Sequence, residues 1–364
     1  MMVLNHKNWL SALFLTLVLV LAACGPAAPT PSEGETQGET SAPAESVETS
    51  VQAETSQVSQ SEAVSTTAQQ PLKVAALKGP TSMGLAKLFK DNETSGQYET
   101  SILGAPDQIV PQIVKGAVDI AAVPSNVAAV LYNKTEGQVQ VLNVNTLGVL
   151  YLVGREDLPD LSALKGRTIV AAGKGAAPEY VLRYLLFENG LTDDDVTVEW
   201  KSEHAEVVAA MSEDPSLVGL LPEPFVTTAQ TKLPDATSLI DLTKIWNETE
   251  SAGDSALVMG VLVARKEVVA SRKADVDAFL AQAKASVEAV NADPKAASQW
   301  IGELGIVPQA VAEKAIPRAN LVDVEGEDMR EMLSGYLTVL FEQDVKAVGG
   351  ALPADDFYYV PDMK

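Results

Sequence analysis

The stretch KVAALKGPTSMG, residues 73–84, predicts a buried strand that leads through a turn into a helix. Four of its first five residues are apolar, which is typical of a strand covered on both faces of a sheet. A Gly-Pro pair then breaks the strand, and Thr and Ser, which favour helix N-termini, follow it. The same pattern recurs at residues 118–132 and 168–189. This alternation predicts an α/β protein with parallel sheets covered by helices.

A second unit of alternating strands and helices, residues 168–241, lies between two long apolar strands predicted at residues 148–153 and 256–264. A chain that leaves one α/β unit, builds another and returns predicts two lobes joined by two crossover strands. Ligands of open α/β sheets bind at the carboxyl ends of the strands, so we expect a cleft between the lobes. The predicted lobes are residues 71–155 together with 256–364, which include C-terminal helices, and residues 156–255.

The first 24 residues resemble the export signal of a bacterial lipoprotein. Lys7 precedes an apolar run over residues 9–21, which is shorter than the ~20 residues that a permanent membrane span needs. The run ends in Leu-Ala-Ala-Cys, which is similar to the lipobox, and Cys24 is the only cysteine of the chain. We expect residues 1–23 to be removed as a signal peptide. Cys24 should then carry the lipid that anchors the protein on the extracytoplasmic side of the cell membrane.

Residues 24–70 are expected to form a disordered acidic tether. After the cysteine this segment contains seven Glu and neither an aromatic residue nor Lys nor Arg. Such a composition buries too little apolar surface to offset the entropy of ordering. The folded body should therefore stand away from the membrane while staying attached to it.

The charge and the residue inventory exclude several classes of function. A formal net charge of −23 argues against nucleic acid or an anionic membrane surface as a partner. His204 is the only histidine after the signal segment, and a lipidated Cys24 leaves no free thiol. The chain has no G-x-S-x-G elbow and no Walker loop. We therefore expect a protein that is not an enzyme and that holds neither a metal nor a cofactor.

The candidate ligand-binding residues lie mainly in strand-to-helix loops. These loops present free backbone N–H groups and the positive ends of helix dipoles, and two glycines at residues 173–175 allow close approach of a ligand. Ser, Thr and Asn are also ordinary helix caps, so a purely structural role is the alternative for each of them. The candidates are Gly79, Thr81, Ser82, Met83, Ser125, Asn126, Thr146, Lys174, Gly175, Ala176 and Glu223.

Two of these candidates favour different ligands. Lys174 and the helix N-termini favour a small anion, such as a sulfonate or a carboxylate. Glu223 instead favours a heterocycle or an amine that donates hydrogen bonds. Phe225 and Trp246 are aromatic residues that either stack on a planar ligand or belong to the core, and the core is the commoner place for them.

Several short motifs resemble those of ABC-importer solute-binding proteins in the nitrate, sulfonate, taurine and thiamine-precursor group. They are KGPT at residues 78–81, GAVDIA at 116–121, LKGRTIV at 164–170 and PEPF at 222–225, and the resemblance extends over roughly residues 71–345. It implies a type II periplasmic-binding-protein fold that captures a small organic or inorganic solute by closing about a hinge. The implied partners are a permease and an ATPase of the same transport system, and the binding protein is expected to be a monomer.

Two alternatives stay open at the level of sequence. One is a tethered sensor domain that binds a solute and docks to a receptor. The other is an enzyme on the same fold, similar to chorismate dehydratase or to a pyrimidine synthase, although the substrates of such enzymes are cytoplasmic.

Overall fold

The computed structural model describes residues 70–249 and 255–360. The predicted signal peptide, the lipidation site Cys24 and nearly all of the predicted tether lie outside the described residues. Within the described ranges, no helix is both long enough and apolar enough to cross a membrane.

The strands of the described residues fall into two sheets. They are β1 (Leu72–Leu77), β2 (Tyr98–Leu103), β3 (Ile120–Pro124), β4 (Val139–Leu147), β5 (Leu150–Gly154), β6 (Thr168–Ala172), β7 (Thr197–Lys201), β8 (Val218–Pro222), β9 (Ser238–Asp241), β10 (Val258–Arg265) and β11 (Leu321–Val324). The first sheet has the order β11-β4-β10-β3-β1-β2, and the second has the order β7-β6-β8-β5-β9.

Helices connect the strands and cover the sheets. They are α1 (Pro80–Met83), α2 (Ala86–Ser95), α3 (Pro106–Val114), α4 (Ser125–Lys134), α5 (Ala177–Glu188), α6 (His204–Glu213), α7 (Phe225–Lys232), α8 (Leu242–Glu248), α9 (Lys266–Ser271), α10 (Lys273–Ala292), α11 (Pro294–Glu303), α12 (Gln309–Ala315) and α13 (Gly326–Gln343). The predicted two-lobed α/β fold is confirmed, with one sheet in each lobe.

Both sheets are mixed, which corrects the expectation of parallel sheets. Strand β1 is parallel to β2 and β3, but β10 is antiparallel to β3 and β4. In the second sheet, β6 is parallel to β7 and β8, but β5 is antiparallel to β8 and β9. Strand β11, at the edge of the first sheet, is also antiparallel to its neighbour β4. The reversed strands β5 and β10 enter from the other lobe. They begin at the edge where the parallel strands end, so they must run in the opposite direction.

The first crossover lies earlier in the chain than predicted. Strand β5 pairs with β8 and β9 of the second sheet, so the chain leaves the first lobe at residues 148–149. The lobe boundary predicted at residue 155 is therefore wrong by one short strand. The predicted strand at residues 148–153 begins at this crossing. An apolar run predicts a strand but does not show which sheet the strand joins.

An aromatic cluster ties the C-terminal part of the chain to the second lobe. Helix α13 packs on β4 and β10 of the first sheet. Its Tyr336 ring lies 5.5 Å from the ring of Trp246, which in turn lies 5.0 Å from Tyr184 of α5. Trp246 is fully buried, and its Nε1 donates a 3.0 Å hydrogen bond to the Ser255 carbonyl. Trp246 is thus a core residue, the commoner of its two predicted roles.

Gly260 on β10 provides a test of the packing between the sheet and the first loop. A methyl group at this position would lie 2.6 Å from Asn145 Oδ1 and 2.7 Å from Thr81 Cγ2. Overpacking of this kind predicts that Gly260→Ala lowers the free energy of unfolding by about 1–3 kcal/mol. Gly335→Ala is the control. Its methyl group would meet Ser255 at 3.6 Å, and a helix interior favours Ala, so stability should hold or rise. Equal urea midpoints for the two variants would contradict this prediction.

Candidate functional site

The carboxyl ends of β1, β3, β6 and β8 face one another across the gap between the lobes. Asn126, at the start of α4 in the first lobe, donates from Nδ2 to the carbonyl of Gly175 in the second lobe at 3.3 Å. On the same interface a methyl group at Gly79 would lie 3.7 Å from Phe225 Cε2. The structure therefore brings three of the predicted loops and the PEPF segment together in one cleft.

The hydroxyl groups of the first loop are hydrogen-bonded within their own lobe. Thr81 Oγ1 donates to the carbonyl of Leu77 at 3.2 Å, and Ser82 Oγ donates to the carbonyl of Gly79 at 3.0 Å. Gly79 has a φ of 138°, a conformation that L side chains rarely adopt. This loop is consequently shaped by its own backbone, and its hydroxyl oxygens keep lone pairs that accept hydrogen bonds.

Two other candidates lie deeper than predicted. Met83 is fully buried in a cluster with Val290 and Ile301, which places its side chain in the core of the first lobe rather than in the cleft. Thr146 is also fully buried, and its hydroxyl donates to Asn145 Oδ1 at 3.0 Å. Asn145 contacts the first loop through a 3.4 Å hydrogen bond from its Nδ2 to the Thr81 carbonyl.

The start of α4 places one buried oxygen without a partner in the cleft wall. Ser125 Oγ donates to the carbonyl of Val258 at 2.5 Å. Asn126 Nδ2 donates to the carbonyl of Ala347 at 3.0 Å as well as to that of Gly175. Since both partners are carbonyl oxygens, they fix the orientation of the amide. Asn126 Oδ1 is then a shielded acceptor that has no hydrogen-bond partner among the described residues.

The glycine loop of the second lobe is closed by a carboxylate that the sequence did not single out. Gly175, with a φ of 75°, donates its N–H to Glu179 Oε2 at 2.7 Å. The other oxygen of the buried Glu179 accepts from Arg183 Nε at 3.1 Å. Lys174 and Gly175 are exposed, whereas Ala176 is buried. An acidic residue in the first turn of α5 was the available signal for Glu179.

Glu223 is fully buried and forms an ion pair across the cleft. Its Oε2 accepts the N–H of Thr227 at 3.1 Å, and its Oε1 accepts the Thr227 hydroxyl at 3.2 Å. Arg318 of the first lobe pairs with the same carboxylate and donates to Thr227 Oγ1 at 2.8 Å. Burial raises the pKa of the Glu223 carboxyl, while Arg318 and Thr227 oppose that rise. Arg318 was missed because it lies 95 positions beyond Glu223 in the chain.

An aromatic pair lies beside this ion pair. The His204 ring is 5.1 Å from that of Phe225, and Phe225 belongs to a core cluster of the second lobe. His204 Nδ1 is shielded from solvent and has no hydrogen-bond partner among the described residues. Burial lowers the pKa of His204 to about 4. The preceding residue, Glu203, lies against Gly104 of the first lobe, so this corner also joins the lobes.

The polar groups brought together at the cleft are the Asn126 amide, the Glu179 and Glu223 carboxylates, the Arg318 guanidinium and the backbone of the loops. Within residues 70–249 and 255–360, no group of three or more His, Cys, Asp or Glu side chains is arranged to hold a metal ion.

Comparison with solved structures finds the same fold in several other proteins. The structure is similar to an ABC transporter from Parabacteroides distasonis, with 24% identity and a TM-score of 0.65 over 81% of this chain and 100% of that chain. It is also similar to the periplasmic aliphatic sulphonate-binding protein SsuA from Escherichia coli, with 14% identity and a TM-score of 0.62 over 81% of this chain and 94% of that chain. The desulfurization enzyme DszB is a further structural neighbour, with 13% identity and a TM-score of 0.57 over 80% of this chain and 97% of that chain.

These similarities show the periplasmic-binding-protein fold, which binding proteins and at least one enzyme share. No model of a known protein family matches the chain, and no curated protein matches its sequence.

The ion pair across the cleft can be compared with a surface pair of similar exposure. Arg318 and Arg330 have side chains that are 38% and 39% exposed, but their carboxylate partners, Glu223 and Asp355, are 0% and 89% exposed. Arg318→Ala leaves a buried carboxylate without its cation, so the free energy of unfolding should fall by about 1–3 kcal/mol. Arg330→Ala should change it little. Chemical denaturation of both variants at pH 7 measures the difference, and equal losses would contradict a buried ion pair.

His204 predicts a pH dependence of stability. Its pKa in the folded protein is about 4, whereas an unperturbed histidine has a pKa of about 6.5. Between these values the unfolded chain binds a proton that the folded chain does not. Stability is therefore present above pH 6.5 and is lost as the pH falls towards 4, by up to ~1.4 kcal/mol per pH unit.

His204→Phe keeps a ring against Phe225 and removes the titration. The free energy of unfolding of this variant relative to wild type should rise steadily as the pH falls from about 6.5 to about 4.5, as followed by urea denaturation. Contributions of the other acidic groups cancel in that difference. A difference that does not change with pH would rule out the buried neutral histidine.

Proposed function

We propose that this chain is the solute-binding component of an ABC importer. The observation that carries the proposal is the convergence of strand-to-helix loops from both lobes on one cleft, joined by the Asn126–Gly175 and Arg318–Glu223 contacts. Two structural neighbours support it, since one is described as an ABC transporter and another as a sulphonate-binding protein. Because one structural neighbour is an enzyme, the proposal also has to be tested for chemical conversion of the bound solute.

Solute capture proceeds by closure of the cleft. The lobes are connected by two strand crossings, and the Asn126–Gly175 and Arg318–Glu223 contacts join them across the cleft. A solute that contacts both lobes has a higher affinity for the closed form, and it shifts the population towards that form. The permease then recognises the closed form. Gly148 lies at the first crossing, where any side chain would collide with that of Thr243, so the crossing passes close to α8 only because this residue is glycine.

The cellular setting of the proposal follows from the N-terminal sequence. A lipid on Cys24 and an acidic tether keep the binding protein beside its permease and ATPase on the extracytoplasmic side of the membrane. The protein acts as a monomer, because each chain contributes both walls of its cleft. Neighbouring permease and ATPase genes would distinguish this role from a tethered sensor.

A thermal-shift screen tests capture. The full-length chain in detergent is mixed with taurine, alkanesulfonates, nitrate, bicarbonate, aminopyrimidines, thiamine and riboflavin. A solute at 100 times its Kd raises stability by about 2.7 kcal/mol. Any compound that binds should also lower the radius of gyration in small-angle scattering. Chemical conversion of a bound compound would contradict the proposal and favour an enzyme.

Two glycines of the second lobe provide a matched pair for locating the site. Gly175 and Gly166 have φ values of 75° and 74°, and a methyl group added to either would have no atoms within 4 Å. Replacement of either by Leu should cost a similar amount of stability, about 1–2 kcal/mol, through backbone strain. Only Gly175→Leu should also weaken solute binding, by tenfold or more, because its side chain enters the cleft. Equal Kd values for the two variants would place the site elsewhere.

A further inference from the structure

Resting on this proposed function, we infer that the cleft selects a solute without negative charge that presents an amide-like pair of hydrogen-bond donor and acceptor. Amides, lactams and aminopyrimidines have this chemistry, whereas sulfonates and nitrate do not. Of the two ligand classes that Lys174 and Glu223 predict, such a cleft favours the heterocycle that donates hydrogen bonds over the small anion.

The N-terminus of α5 is already occupied by a carboxylate. A helix of twelve residues with a glycine loop before it is a typical place for an anion to bind. Here Glu179 takes that place, because its Oε2 accepts the Gly175 N–H at 2.7 Å and its carboxylate is buried. An anionic solute at this N-terminus would have to displace Glu179 from the Gly175 N–H, a carboxylate that Arg183 also holds in place.

The N-terminus of α7 is occupied in the same way. Glu223 accepts the Thr227 N–H, so a second carboxylate closes the second helix of this lobe that faces the cleft. The cation at this position, Arg318, is already paired with the same carboxylate. The helix N-termini of α5 and α7 are therefore closed by the chain's own carboxylates, and Glu223 balances the charge of Arg318. The Nε–H group of Arg318 has no hydrogen-bond partner among the described residues and stays available to an acceptor atom of a neutral ligand.

The first lobe, by contrast, leaves acceptors open. The hydroxyl hydrogens of Thr81, Ser82 and Ser125 are bound to backbone carbonyls, so the oxygens of these buried groups are left only as acceptors. Asn126 Oδ1 is a buried acceptor without a partner among the described residues, and its amide orientation is fixed. An acceptor in this state calls for an N–H or O–H donor on the ligand.

Backbone N–H groups of α4 would donate hydrogen bonds to the acceptor atom of the ligand. No side chain caps the first turn of this helix, whose leading N–H groups have no partner within the helix. Asn126 Oδ1 and these N–H groups lie on neighbouring residues, which matches a ligand with adjacent donor and acceptor atoms. The remaining cations, Lys78 and Lys174, are exposed to solvent, where a single charge contributes little.

Removal of the carboxylate that closes α5 tests the exclusion of anions. Wild-type protein, in its full-length form, should show no saturable rise in Tm with methanesulfonate or nitrate up to about 10 mM. Glu179→Ala should gain a saturable rise of about 2–4 °C with either anion, since it opens the helix N-terminus. Asp293→Ala is the control, because it removes a carboxylate cap from α11 on the outer surface, and it should gain none. Glu179→Gln, which keeps the shape and removes the charge, serves if the alanine variant does not fold.

Neutral probes test the donor–acceptor pair. At least one of cytosine, 4-aminopyrimidine and nicotinamide should raise the wild-type Tm, and Asn126→Leu should abolish the rise. Failure of all three probes would overturn the assignment of the pair.

A saturable anion shift in the wild type, or its absence in both Glu179 variants, would overturn the exclusion of anions. A saturable anion shift in the wild type would still agree with the proposed capture of a solute. Turnover of a probe, or binding without compaction, would instead overturn the proposed function.

Discussion

The structure depends on a directional constraint: the parallel strands of both sheets end at the same gap. The strand that arrives from the other lobe, β5 in the second sheet and β10 in the first, begins at that gap and therefore runs in the reverse direction. The loops after β1, β3, β6 and β8 then lie along this gap. The cleft is therefore a consequence of the chain crossing twice between two sheets, and its lining is the set of residues that follow those strands.

Within this frame, an acidic chain has used its own carboxylates to complete the cleft. Glu179 and Glu223 each accept a backbone N–H at the start of a helix, and each also binds an arginine. A buried carboxylate is costly unless it is paired, and these contacts provide the compensation. The result is a lobe whose helix dipoles are neutralised from within, in contrast to a bare helix N-terminus that invites an anion.

Local sequence patterns were sufficient for most of the framework. The apolar runs before residues 79, 125 and 173 predicted β1, β3 and β6, and the glycine and proline breaks marked the loops that meet in the cleft. Patterns of this kind report burial and turn chemistry over a few residues, so they do not show which sheet a strand joins. That is why β5 was assigned to the wrong lobe. The partnership of Glu223 with Arg318 and the depth of Met83 depend on tertiary packing between distant segments, which no local pattern contains.

Asn126 shows how ligand binding and closure can be the same event. Its Nδ2 group bonds to Gly175 in the second lobe and to Ala347 near the C-terminus, while its Oδ1 has no partner among the described residues. A ligand that donates to Oδ1 holds the amide in the orientation that the interlobe bond requires. In an open form that bond to Gly175 would be lost, so the amide would have one fixed partner instead of two. On the proposed function, the ligand would therefore bind the closed form more tightly than the open form, and this difference in affinity is what a shift in population requires.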